Sequence, residues 1–276
     1  MSDNGIIGII LIIANVAFSY KGFTDQHFFE RYMFEVDKVL INKDYKRIVT
    51  SGFLHINWTH LIFNMFSLLI FSGAIESELG PVKFLVVYFV SLIGGNLFSL
   101  IVHQHHGDYS AAGASGAISG VIFASIALFP GMGVGLFLLP AIPAWLYGIL
   151  FVLYSIYGIR SKKDNIGHEA HLGGALVGMI TGLVMQPTAF IENYVTILII
   201  VVPTIIFIYL IITRPQALLI DNLFFKKHSD HYSVDHKYNA DKHLQQKEID
   251  RILDKINRKG IDSLTGKERS TLKKYS

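Results

Sequence analysis

The sequence predicts an all-α polytopic membrane protein: seven candidate membrane-spanning helices and a small helical tail. Three observations carry this. The 276-residue chain is 51% hydrophobic and 16% charged, with a mean hydropathy of +0.44, whereas a soluble domain is about 25% charged. The apolar residues gather into nearly charge-free stretches at 5–20, 59–75, 82–102, 115–130, 138–159, 168–187 and 194–213. Each approaches the roughly 20 residues a helix needs to cross a bilayer. Beyond 213 the composition turns polar and charged.

Cysteine is absent, which excludes a disulfide framework and thiol chemistry. A net charge of +3 and a pI near 8.9 do not point to nucleic acid. The membrane-embedded part is expected to reach 213 and the tail to occupy 214–276.

The stretch at 5–20 competes with a cleavable signal peptide. Its leader "MSDNG" lacks Lys and Arg and no small-residue cleavage site follows, so a retained helix is expected. Residues 21–57 alternate aromatics with charges, as a segment at the lipid–water boundary does; a plain solvated loop is the alternative.

Polar residues inside apolar spans mark function or helix packing. In "HINWTHLIFNMFS", His60 and Asn64 are four apart and share a helix face; both can donate hydrogen bonds, and interhelical glue is the alternative. In "GASGAISG", Ser115 lies between Gly113 and Gly116 at the start of an apolar helix. Backbone N–H groups there lack intrahelical partners and favour developing negative charge. An ordinary capping serine is the alternative. The sixth stretch opens "GHEAHLGGALVG", where His171 is followed by Gly174, Gly178 and Gly182 near its own face. Gly116 and Gly120 carry the same four-residue spacing after Ser115. Small residues at that spacing let membrane helices approach closely, as a hydroxyl and an imidazole must to exchange a proton at about 3 Å. Generic glycine packing with an incidental histidine is the other reading.

In the tail, Ile249, Ile252, Leu253 and Ile256 form an amphipathic helix, Gly260 is a natural stop, and Thr265 with Glu268 has the capping-box pattern. Its apolar stripe needs a cover: the second helix, an unknown partner, or the membrane surface.

The chain resembles the rhomboid intramembrane serine proteases. The likeness rests on "HINWTHLIFN", "GASG" and "HLGG", in that order and on those helices. "SGAIESELG" (Glu76, Gly80) and "YKRIVTSGFLH" (Arg47, His55) are further likenesses, and together they cover roughly residues 5–187. The resemblance implies a Ser115–His171 dyad. Ser115 is then the nucleophile and His171 the base, and His60, Asn64 and the Ser115 N–H hold the oxyanion. Gly113, Gly116, Gly120, Gly174, Gly178, Glu76 and Arg47 are expected to be structural. No metal and no cofactor are implied. The substrates implied are transmembrane or membrane-anchored proteins, and the location a bacterial inner (plasma) membrane. The implied six-helix core, over 1–190 with an extra transmembrane helix beside it at 191–213, surrounds a water-filled cavity open to the non-cytoplasmic side, with 21–57 as a large first loop half-sunk in the outer leaflet. A cytoplasmic N-terminus then puts Arg160, Lys162 and Lys163 outside, against the positive-inside rule. Seven spans put the tail outside, whereas its lysines and arginines favour the inside. The chain departs from many rhomboids at Ser119, where those carry an aromatic stacked on the histidine.

Two rivals stand beside this reading. One is a membrane metal-dependent hydrolase or ion-binding protein built on "HEAH" and "HQHH" (His103, His105, His106). Zincins place their histidines at i and i+4, whereas His168 and His171 are three apart. The other is a proteolytically inactive relative that binds membrane helices without cutting them.

Overall fold

The computed structural model describes residues 5–135, 141–161 and 166–213, and in the tail residues 249, 251–253, 255–256, 260, 263–266 and 268–269. Residues 138–140 of the fifth apolar stretch, Lys162, Lys163 and residues 214–248 lie outside the described residues. The chain divides into two compact units, Met1–Lys227 and His228–Ser276.

In the first unit each apolar stretch becomes a helix, because lipid offers no partner for an unpaired backbone group. α1 (Ile6–Thr24) leads into a built loop: α2 (Gln26–Tyr32), β1 (Phe34–Glu35), α3 (Val36–Leu40), α4 (Arg47–Thr50) and a 3-10 turn at Ser51–Phe53. Then come α5 (Trp58–Leu79), α6 (Pro81–Val102), β2 (Ser110–Ala111), α7 (Ser115–Leu128), β3 (Gly133–Val134), β4 (Ile142–Pro143), α8 (Ala144–Ser161), α9 (His168–Met185) and α10 (Thr188–Thr213). Among the described residues the strands form two short antiparallel ladders, β1 with β2 and β3 with β4. This is a multi-pass integral membrane protein. α1, α5, α6 and α10 are each long and apolar enough to cross a bilayer. Their exposed Ile13, Phe63, Val82 and Ile191 would be a liability in water but face lipid acceptably.

α7 is the axis of the fold. Every residue after Ser115 is buried, as befits a helix apolar all round. α6 and α9 pack closest on it, with α5, α8 and α10 outside them. At its lower end Asn193 leaves helical geometry (φ −118°, ψ 17°). The Asn193 amide donates to the Ala127 and Leu128 carbonyls at 2.9 and 3.4 Å, serving carbonyls that the helix leaves orphaned.

The first loop is held by side-chain bonds. Arg47, 6% exposed, donates to the Glu30 and Met33 carbonyls and to Asp44. Asn96 of α6 donates to the Ile48 carbonyl at 2.7 Å and to Ser51 Oγ at 3.2 Å. Phe34, Val36 and Val39 form a small core of the loop's own, so this is not a plain solvated segment.

Glu76 lies in the last turn of α5 rather than in the turn after it, and Gly80 (φ +81°) is the cap. The Glu76 carboxylate accepts from Ile7 N at 3.0 Å and Gly8 N at 3.1 Å, capping α1 where the helix dipole favours an anion. Glu76→Ala should therefore lower thermal stability by about 1–3 kcal/mol, read as a melting shift in detergent; an unchanged melt would mean that α1 docks without its cap.

In the tail the capping box forms: Thr265 N donates to Glu268 Oε2 at 2.8 Å and Glu268 N to Thr265 Oγ1 at 3.3 Å. Lys255 also bonds this carboxylate, and these partners hold its pKa down to about 2. Ile252 and Leu264 are buried, and Gly260 takes a positive φ of 78°.

Candidate active site

Ser115 is the first residue of α7; the cap position is Ala114, and no side chain caps the helix. The serine hydroxyl is thus not used as a cap, and it stands at the end where helix amides point outward unpaired. Gly113 precedes it at φ +149°, a region disfavoured for other residues. A Cβ there would lie 2.8 Å from His60 Cε1, 3.0 Å from His60 Nε2 and 3.6 Å from Ser115 Oγ. Only a bare α-carbon lets the imidazole and the hydroxyl share this corner. Gly113 N donates to the Ser51 carbonyl at 3.0 Å, so the loop that Asn96 anchors also sets the entry to α7.

His60 sits in the first turn of α5, its amide capped by Asn57 Oδ1 at 2.8 Å. His55 meets its ring edge-on at 4.9 Å, and His55 Nδ1 is 2.8 Å from Ser19 Oγ of α1. Burial, then the neighbouring His60, push the His55 pKa down to about 3, so His55 is neutral. Asn64, one turn below His60, is 7% exposed and donates to the His60 carbonyl at 2.9 Å. One amide proton is thus engaged within its own helix and one remains.

His171 stands in the first turn of α9, its amide donating to the Gly167 carbonyl at 3.1 Å. Among the described residues no hydrogen bond joins its ring to Ser115, and its Nδ1 is buried without a partner. The two helices nonetheless touch immediately beside both residues: a Cβ on Gly116 would lie 3.4 Å from the Ala170 carbonyl oxygen. Such pairs are commonly loose until substrate tightens them.

The order of these residues has counterparts. A model of the Rhomboid domain matches residues 42–188, more than half of the chain and inclusive of His60, Asn64, Ser115 and His171. The chain belongs to the rhomboid family. Residues 232–276 match a family of unknown function (DUF6576). Among similar proteins are the RHOMBOID-like protein 12, mitochondrial, of Arabidopsis thaliana (29% identical, covering 65% of this chain and 58% of the relative) and the Rhomboid protein 1, mitochondrial, of Saccharomyces cerevisiae (32%; 56% and 45%). The rhomboid protease AarA of Providencia stuartii is another (29%; 51% and 56%). The chain spans about half the length of these curated relatives.

In this rhomboid the glycine strips meet backbone to backbone. A Cβ on Gly174 would collide with the Gly116 carbonyl and lie 3.1 Å from its Cα, and one on Gly178 would strike Gly120. Gly182 faces Ala124. A second strip was not singled out in the sequence: a Cβ on Gly95 of α6 would sit 2.6 Å from the Ala170 carbonyl oxygen, and one on Gly173 would sit 2.6 Å from Phe98. The signal was the "GG" pair in each stretch: Gly173 and Gly174 face α6 and α7, and Gly94 and Gly95 both face α9.

Glu169 turns away from His171. Its carboxylate lies 3.5 Å from His103 Nε2 at the end of α6, and Tyr109 stacks on His103 at 3.6 Å. Burial raises the Tyr109 pKa, keeping the phenol neutral. His106 approaches His103 at 5.6 Å and His105 is exposed; among the described residues no three such side chains converge on a metal position. Ser119 is 2% exposed and donates to the Ser115 carbonyl at 2.7 Å, so it holds its own helix turn.

Proposed function

We propose that this rhomboid is an intramembrane serine endopeptidase that cleaves transmembrane or membrane-anchored proteins. The observation that carries the reading is the meeting at Gly113: a serine hydroxyl that caps nothing and the His60 imidazole share one corner, and α9, the helix of His171, packs against α7 through Gly116 and Gly174.

In the proposed reaction Ser115 Oγ attacks the scissile carbonyl carbon and its proton passes to His171. The oxyanion is held by the Ser115 N–H, His60 and the free proton of Asn64. Collapse of the tetrahedral intermediate expels the amine, which takes the proton from His171. Water then attacks the acyl-serine, with His171 again as base, and releases the acid. Glu169, engaged by His103, takes no part. A substrate helix must unwind to present its peptide bond, so small or helix-weakening residues near the cut are favoured. A bacterial inner membrane is the proposed location; relatives from Bacillus subtilis and Providencia stuartii support it, while other relatives carry mitochondrial or chloroplastic names.

The test is covalent labelling of the full chain in proteoliposomes by a fluorophosphonate, followed by peptide mapping. Label on Ser115, with cleavage of a transmembrane reporter, is expected. No label and no cleavage would leave a rhomboid that binds helices without cutting them. Asn64→Ala should lower turnover by about a hundredfold, as loss of other side-chain oxyanion donors does. An unchanged rate would restrict Asn64 to its bond with the His60 carbonyl.

A further inference from the structure

The geometry points to Phe151 of α8 as the positioning residue of His171, an inference that rests on His171 serving as the base. The His171 ring meets two other rings. Phe151 lies 5.9 Å from it, tilted by 35°, and His168, one turn earlier on α9, lies edge-on at 5.7 Å. Nδ1 is buried without a hydrogen bond among the described residues, and Glu169 is turned to His103. Among the described residues, then, no carboxylate or carbonyl bonds the His171 ring, and what meets it is ring packing.

Phe151 is itself held from two sides. Phe123 of α7 meets it edge-on at 5.3 Å, and Tyr147, one turn earlier on α8, lies 6.3 Å away. Tyr147 in turn packs on Phe71 of α5 at 5.9 Å. A row of rings thus runs from α5 through α8 to the base, with a branch to α7, the helix that carries the nucleophile. Phe123 lies one helical turn beyond Ser119, on a similar face. Ser119 itself is closed into its own turn, so the ring that steadies the base comes from α8 instead.

The rest of this α8 face latches α9 next to the base. Tyr154 meets His168 edge-on at 5.1 Å, and a Cβ on Gly158 would occupy the place of the His168 ring. Residues 147, 151, 154 and 158 follow helical spacing on one side of α8. Phe151 is the member that touches His171.

The experiment compares Phe151→Leu, which keeps apolar volume but removes the ring, with Tyr147→Leu and Tyr154→Leu, which touch Phe151 and His168 but not His171. All are made in the full chain in proteoliposomes. Phe151→Leu is expected to lower kcat for the transmembrane reporter about tenfold, with KM unchanged, and to slow fluorophosphonate labelling of Ser115 by the same factor. The melting temperature should match that of the two tyrosine variants, whose kcat should fall clearly less, because they reach the base only through Phe151 or His168. Unchanged kcat and labelling in Phe151→Leu would overturn the assignment. So would equal kcat losses in all three variants, because the face would then act only through stability. Retained turnover in His171→Ala would instead remove the reading beneath it, whatever Phe151→Leu does.

Discussion

Ser115→Ala and His171→Ala are each expected to abolish cleavage of a membrane-anchored substrate, and the double variant should be no worse than either single one. In the proposed dyad the two groups act on one proton: without the base the hydroxyl is a weak nucleophile, and without the hydroxyl the base has nothing to activate. Losses of such a pair are strongly non-additive. The structure makes the serine variant a clean test. Its hydroxyl caps nothing, so Ser115→Ala should keep normal expression, detergent extraction and melting. His171→Ala also removes a ring that packs on Phe151 and His168, and a small stability loss should accompany its inactivity. Substantial turnover in either single variant, with the protein folded, would refute the dyad.

Gly174→Leu should both inactivate and destabilise the protein. Ordinary overpacking costs about 1–3 kcal/mol when side chains can shift. Here a Cβ alone would collide with the Gly116 carbonyl, and neither helix backbone can rotate that group aside without losing its own hydrogen bonds. α9 must move off α7, and a displacement of about 1 Å at a reacting pair can cost a hundredfold in rate. Activity below a hundredth of normal is expected, together with a lower melting temperature. Gly73→Ala in α5, where a Cβ would meet nothing within 4 Å, is the matched control and should be neutral or slightly stabilising. Full activity in Gly174→Leu would mean that the strip is not what sets the Ser115–His171 separation.

The helices were legible because lipid forces every long apolar stretch to bond internally, and each of the seven stretches contains or overlaps one. The Gly116/Gly174 and Gly120/Gly178 contacts could be read from spacing, since four-residue glycine intervals have few other uses on an apolar face. Phe151 could not. A phenylalanine facing lipid and one facing an imidazole look the same within "WLYGILFVLY", and only the packing separates them. Asn96, Ser51 and Asn193 were missed for a related reason: each makes a bond to or from a backbone group far away in sequence, the amides of Asn96 and Asn193 to carbonyls and the Ser51 carbonyl from Gly113 N, and backbone groups leave no mark in a residue string. Glu76 was visible as an acid near a helix end, but its partners, two amides of α1, were not.

The amide that closes the lower end of α7 has a consequence for where chemistry happens. Fourteen residues make a rod of about 21 Å, against a hydrocarbon slab of about 30 Å, while α10 beyond its break at Asn193 runs on to Thr213, about 30 Å. Asn193 fastens the short rod near the start of the long one, so Ser115 stops roughly 10 Å below the level at which α10 ends. Immersion of the serine is therefore set by the difference between two helix lengths. In the proposed reaction water, the reactant of deacylation, must then be conducted down to it, and bilayer thickness becomes a variable of that hydrolysis.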